Sequence, residues 1–394
     1  MRHRRSSLPA AAVAALVGLG AALGAQAPAA AADRAYETPE WVAAAAKGFA
    51  ATKAARAAAQ ERLGAARTTD GYEAVRIAGA NRYATAVEAS KALYTDEVLA
   101  STPVEVAFVA NGLNYPDALA ATSLVPQYGP MLLVPPTGTV PGNVMAELNR
   151  LNPDFVVIIG GTGAVSAGVE SQLATVAETD RVDGEDRYET AGYAAVITDG
   201  TYEGSDPETP EPGVDTLFVV SGENFPDALA AGAATGQNRG AVVLTKRTSL
   251  PEWTAMAIEM IEPERVVILG GTGSVSDTVR SQVASLVPGK QVVRRAGADR
   301  FGTAAAVSLN EFDRPASGIM LANGLTFPDA LSAAGFGAVV EYPLLLAKAT
   351  CAPKATADEA AAQTALLGAG TPLEVVGVGG TGVLSGAALA LTRC

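Results

Sequence analysis

Ala78-Gly79-Ala80-Asn81-Arg82-Tyr83-Ala84-Thr85-Ala86 is the stretch from which the fold can be read, because the chain repeats it twice more. It returns as Asp183-Gly184-Glu185-Asp186-Arg187-Tyr188-Glu189-Thr190-Ala191, and again as Ala296-Gly297-Ala298-Asp299-Arg300-Phe301-Gly302-Thr303-Ala304. Two other signatures also occur three times, in the same order. Asn111-Gly112-Leu113-Asn114-Tyr115-Pro116-Asp117-Ala118-Leu119 has copies at Ser221–Leu229 and Asn323–Leu331. Gly160-Gly161-Thr162-Gly163-Ala164-Val165-Ser166 has copies at Gly270–Ser276 and Gly379–Ser385. Arg82, Arg187 and Arg300 recur with a period of about 110 residues, the size of a small domain and too long for a short solenoid repeat.

Outward from Arg82, apolar β-branched runs alternate with helical patterns. Val75–Ile77 reads as a short strand and Arg82 to Tyr94 as a helix. Glu105–Ala110 reads as a strand with a helix from Pro116, Met131–Val134 as a strand with a helix over Pro141–Leu151, and Phe155–Ile159 as a strand with a helix over Ser166–Ala177. This βα alternation predicts an α/β fold of three tandem modules, each a four-stranded parallel sheet covered by helices. The modules are expected at 75–179, 180–290 and 291–394. Residues 33–74, rich in Ala with Lys47, Lys53, Arg56 and Arg62 interspersed, read as a solvated helical spacer, with a partner helix as the alternative. Residues 201–213 read as a surface loop.

The N-terminus has the pattern of a secretory signal over residues 1–32. Arg2, His3, Arg4 and Arg5 precede an apolar run from Ala10 to Leu23, too short for a membrane span, and small residues lead to a cleavage point before Asp33. A weak twin-arginine pattern leaves the export route open. No other segment reads as membrane-spanning, so the exported chain is expected to have no membrane partner. Signal, spacer and three modules are expected to fill the sequence given, with no separate catalytic domain expected within it. Loss of Arg2, Arg4 and Arg5 takes the formal charge from −13 to −16, which argues against a nucleic-acid partner.

His3 is the only histidine, so the exported chain lacks imidazole general-base chemistry and imidazole-dependent metal sites. No metal site and no cofactor are expected. The two cysteines, Cys351 and Cys394, pair as a disulfide in an exported chain; two free buried thiols are the alternative.

Candidate binding residues come from the repeated signatures. Arg82, Arg187 and Arg300 open helices, where a cation opposes the helix dipole, so each calls for a compensating partner: a structural carboxylate or an anionic ligand. Asp117, Asp227 and Asp329 follow a proline at the first helical turn, where a carboxylate suits the dipole without any ligand. They also stand at strand C-terminal ends, where open α/β sheets bind ligands. Asn111 and Asn323 sit on the same loops, with Ser221 in the equivalent place. The Gly-Gly-Thr-Gly loops approximate a dinucleotide fingerprint, but Ser166 replaces the third glycine. Asp183 has the spacing of a ribose-binding acid only in the first copy; Val293 stands there in the second. The sequence Asp183-Gly184-Glu185-Asp186 lacks a calcium-binding loop pattern.

Together these signatures resemble the type 2 cell-wall-binding repeat family, over about residues 75–394. The strand motifs Pro130-Met131-Leu132-Leu133 and Pro343-Leu344-Leu345-Leu346 add to the likeness, while Ala241-Val242-Val243-Leu244 departs from it. The resemblance implies flavodoxin-like modules around a pseudo-threefold axis in a secreted, non-catalytic surface protein. It implies non-covalent anchoring to an anionic cell-wall glycopolymer, teichoic-acid-like or a surface polysaccharide. The acidic chain would then need local arginines, helix N-termini or bridging divalent cations. The other readings are a nucleotide- or sugar-binding enzyme using the Gly-rich loops, and a surface-layer or adhesive structural component.

Overall fold

The computed structural model describes residues 39–65, 72–204, 213–224, 226–368 and 370–394. The expected signal over 1–32, and residues 205–212 of the expected surface loop, lie outside the described residues.

Twelve strands among the described residues form three sheets of four. They are β1 (Tyr72–Ile77), β2 (Val106–Asn111), β3 (Met131–Val134), β4 (Phe155–Ile159), β5 (Glu178–Val182) and β6 (Thr216–Ser221). The remainder are β7 (Gly240–Thr245), β8 (Arg265–Leu269), β9 (Gln291–Arg295), β10 (Gly318–Asn323), β11 (Leu344–Ala347) and β12 (Leu373–Val378). The orders are β3-β2-β4-β5, β7-β6-β8-β9 and β11-β10-β12-β1, and every pairing is parallel. The strands β2, β6 and β10 are buried along their whole length, as apolar strands covered on both faces must be. The α/β reading and its threefold repetition are therefore what the chain adopts.

One feature of the expected modules is corrected. The strand that opens each repeat does not join that repeat's own sheet. The strand β5 leads into Arg187 but lies beside β4, and β9 leads into Arg300 but lies beside β8. The strand β1 leads into Arg82 and lies beside β12, with Ile77 opposite Val378. Each repeat gives its first strand to the sheet before it, and the first repeat gives its own to the last, so the three close into a ring. The helix that follows explains this placement. Arg82–Leu93 packs on Pro328–Val340, Arg187–Gly204 on Pro116–Ala121, and Arg300–Glu311 on Pro226–Gln237. Each of these helices also packs on its own repeat's sheet, at β3, β7 or β11, so it lies between two repeats and the short turn before it places its strand in the preceding one.

Small residues let the central helices meet. Pro328–Val340 is buried on every side and packs against Pro226–Gln237. Thr235 Oγ1 donates to Thr122 O at 3.0 Å, and Ser123 Oγ accepts from Val242 N at 2.9 Å, linking the first two repeats.

The expected spacer forms a helix, Glu40–Ala65, but from Trp41 onward it is not simply solvated. Trp41 is fully buried, with its ring edge-on to Phe108 and Tyr128 at 5.8 Å each. Ala51, Ala55 and Ala59, spaced four apart, form a buried stripe. Arg56 Nε donates to Val339 O at 2.7 Å and also pairs with Glu341, while Gln60 Nε2 donates to Val340 O at 3.0 Å. Arg62 donates to Ala92 O. These donors satisfy carbonyls at the C-terminal ends of Pro328–Val340 and Arg82–Leu93, where cationic side chains suit the dipole. The helix thus straps the third repeat to the first. Alanine misleads here because its short side chain gives a weak amphipathic signal while permitting close packing.

Cys351 and Cys394 form a disulfide with Cα atoms 5.0 Å apart. It ties the chain's last residues to the loop after β11, beside the pairing of Ala352 with Arg393.

Candidate functional site

The repeated loops gather at the C-terminal ends of the strands. Asn81, Asp186 and Asp299 cap the arginine helices by accepting from backbone N–H groups of their first turns. Arg82, Arg187 and Arg300 then reach across to the next loop of their own repeat. Their Nη1 atoms donate to Gly112 O at 2.7 Å, Gly222 O at 2.7 Å and Gly324 O at 2.8 Å. The sequence-based expectations, a carboxylate partner or an anionic ligand, do not include this backbone clamp; Arg187 and Arg82 also act by charge on a carboxylate of the adjoining repeat, Asp117 and Asp329.

Asp117 and Asp329 lie where consecutive repeats meet. Burial pushes the Asp117 carboxyl up to about 6; the charge of Arg187, in the next repeat, pulls it down, and Asp183 adds an upward push. Burial likewise raises Asp329, against a hydrogen bond from Thr85 and the charge of Arg82. That second pairing spans the join between the third repeat and the first. Asp227 accepts from Ser274 Oγ at 2.8 Å.

All three carboxylates lie against the first glycine of a Gly-Gly-Thr-Gly loop. Gly160, Gly270 and Gly379 have φ of 101°, 93° and 119°, and a Cβ on any of them would strike the facing Asp Oδ2 at 2.5 to 2.8 Å. Glycine is therefore required by both backbone conformation and the carboxylate it supports.

Asn111 and Asn323 are buried and bind backbone on both sides. Asn111 Nδ2 donates to Ala164 O at 2.9 Å, and Oδ1 accepts from Leu113 N at 2.8 Å. Asn323 repeats this with Val383 O at 2.6 Å and Leu325 N at 2.8 Å. Ser221 Oγ accepts from Glu223 N at 3.2 Å. The asparagines thus pin the loop after β2 or β10 to the Gly-rich loop. In this strand order the crevice between those loops is where doubly wound sheets bind nucleotides. Here asparagine side chains bridge it and a carboxylate lies against its glycine backbone.

Two sets of residues were not singled out from the sequence. Arg76, Arg181 and Arg294 donate through Nη1 to the carbonyls of Gly379 at 2.6 Å, Gly160 at 2.5 Å and Gly270 at 2.7 Å. Each stands six residues before the helix-opening arginine, so a repeated Arg-x-x-Gly-x-Asn/Asp-Arg was available as a signal. The aromatic residue before each Pro-Asp is the other set. Tyr115 and Phe327 come together with ring centroids 6.0 Å apart, and Arg82 stands 6.0 Å from the Phe327 centroid. Phe225 holds the corresponding position in the second repeat and lies outside the described residues.

A ring of three α/β repeats, with polar loops gathered on one face and the crevices of its first and third repeats bridged, defines a repeat-built binding protein. Residues 76–170, 181–280 and 294–389 each match the family described as cell wall binding domain 2 (CWB2). The chain belongs to that family, and its place is the cell wall or cell surface.

Among curated proteins it is similar to the N-acetylmuramoyl-L-alanine amidase LytC of Bacillus subtilis (strain 168), 28% identical over 272 residues, covering 69% of this chain and 49% of the relative. It is also similar to the amidase enhancer of the same organism, 27% identical over 280 residues, covering 71% and 35%. Among solved structures it resembles Cwp6 from Clostridium difficile, with a TM-score of 0.68, 25% identity and coverage of 82% and 48%. Cwp8 from the same organism gives a TM-score of 0.66, 25% identity and coverage of 80% and 50%. The chain spans about half the length of these relatives or less.

Proposed function

We propose that the chain anchors itself non-covalently to an anionic wall glycopolymer, teichoic-acid-like or a surface polysaccharide, and performs no reaction of its own. The observation that carries this is the placement of Arg82, Arg187 and Arg300 at equivalent positions on one face of an acidic chain that belongs to a wall-binding family. Guanidinium groups held in place by a glycine carbonyl are pre-organised for anionic groups, and local cations outweigh a net negative charge once it is screened beyond about 8 Å. Asp117, Asp227 and Asp329 hold the loops and tune the neighbouring arginines. Asn111 and Asn323 act as loop braces beside the ligand. The repeats 75–179, 180–290 and 291–394 serve as sequence units, although their sheets interlock.

Co-sedimentation with purified walls tests the reading. The chain should pellet with native walls and stay in solution once the anionic polymer is stripped; equal pelleting with stripped walls defeats it. Chelation of divalent ions separates direct contact, which survives it, from cation bridging, which is lost. The alternative of a nucleotide-processing enzyme fits poorly, because Asp117 sets a negative charge against Gly160, where a phosphate would approach.

A further inference from the structure

We infer that the three repeats build one shared ligand seat on their common axis, occupied by a single strand of anionic glycan, rather than three separate seats. This rests on the wall-polymer reading above and locates it.

The contacts at the axis come from all three repeats. The Tyr115 hydroxyl, from the first, donates to Gly222 O of the second at 3.1 Å. Arg187 Nη1 donates to that same carbonyl. The Tyr115 ring meets Phe327 of the third repeat, and the Arg82 guanidinium of the first stands over Phe327. No single repeat supplies this arrangement. Sugar rings present apolar C–H faces to aromatic side chains, and acidic substituents suit guanidinium forks. Aromatic rings alternating with arginines therefore match an anionic glycan.

Two further observations favour the axis over the individual crevices. Within the first and third repeats the crevice is already bridged by Asn111 and Asn323. At the loop tips, Leu113 and Leu325 are 54% and 55% exposed, while the second repeat has Glu223 in that place. Leu, Glu and Leu at the three equivalent loop tips break the threefold repetition, so the seat has one preferred orientation for one strand.

The test uses the full mature chain and two probes: purified walls, and size-selected oligomers of the anionic polymer released from those walls. Native mass spectrometry should count one oligomer per chain. Phe327→Leu keeps apolar volume but removes the ring face, and it should weaken oligomer and wall binding by about tenfold or more with an unchanged melting temperature. Phe327→Tyr should restore binding, which a purely structural role in packing does not require. Three oligomers per chain, with one lost in Phe327→Leu, would overturn the shared seat while leaving wall binding standing. Undiminished binding by Phe327→Leu overturns it as well. Wild-type chain that pellets equally with stripped walls and takes up no oligomer overturns the polymer reading itself, and the seat with it.

Discussion

The join between the second and third repeats and the join between the third and first have the same architecture but different chemistry. In the former, the Glu311 carboxylate is fully buried between Arg265 at 2.7 Å and Arg295 at 2.6 Å, and Asn238 Nδ2 donates to Glu311 O at 2.7 Å. In the latter, the residues at those places are Glu374, Ile77 and Leu93, all buried, and Glu374 accepts from the Tyr342 hydroxyl at 3.0 Å. The strap helix supplies what the ion cluster supplies elsewhere. The comparison teaches that packing geometry is specified by the helix pair, while the polar groups that hold it are replaceable.

The largest effect should come from breaking the ion cluster. Glu311→Ala leaves two arginines partly buried without their carboxylate and should cost about 3–5 kcal/mol, measured by urea unfolding. Making this join resemble the other, with Arg265, Arg295 and Glu311 all replaced by leucine, should recover most of that loss. Failure to recover would show that the ions specify the join. Next, Trp41→Ala should cost about 3 kcal/mol by emptying the site against Phe108 and Tyr128, and hydrogen exchange should rise at the third-to-first join while the second-to-third join stays protected.

A third effect is pH-dependent and centres on Asp117. The folded chain holds the Asp117 proton more tightly than the unfolded chain does. This group's stabilising contribution is therefore complete below about pH 4 and falls as pH rises towards about 6. Asp117→Asn should be about 2–3 kcal/mol more stable than wild type at pH 7.5 and equal to it at pH 4, by denaturant titration at both values. Ala164 stands where Ser274 donates to Asp227, so Ala164→Ser should supply the missing donor and shrink that difference.

The smallest effect compares polar and apolar links inside repeats. Ser90 Oγ donates to buried Glu147 at 2.6 Å and Ser308 Oγ to Glu359 at 2.8 Å, whereas the second repeat has Ala195 and Ala257 there. Ser90→Ala should cost about 1–2 kcal/mol, since Arg150 still holds the carboxylate.

The α/β class and the threefold repetition were legible in the sequence because the apolar strand runs and the three signatures are local patterns. The helix-opening place of Arg82, Arg187 and Arg300 was legible for the same reason. Their acceptors were not, because a carbonyl such as Gly112 O leaves no mark in the residue string. Periodicity marks β1 as a strand but does not name its neighbour, so its place beside β12 emerged only from the packing of Arg82–Leu93. Trp41 sits at the edge of an alanine-rich stretch, and nothing local connects it to Phe108. Arg76, Arg181 and Arg294 had a constant spacing that was there to be seen, and their role became plain only where the Gly-rich loops turned beneath them.

The transfer of first strands has a consequence for assembly. Each repeat offers a strand at its front and an open sheet edge at its back, a head-to-tail contact that generates filaments unless the rotation closes. Here it closes after three, and β1 fills the edge that β12 would otherwise present. A chain shortened to two repeats would carry both complementary ends unsatisfied and should join others of its kind end to end.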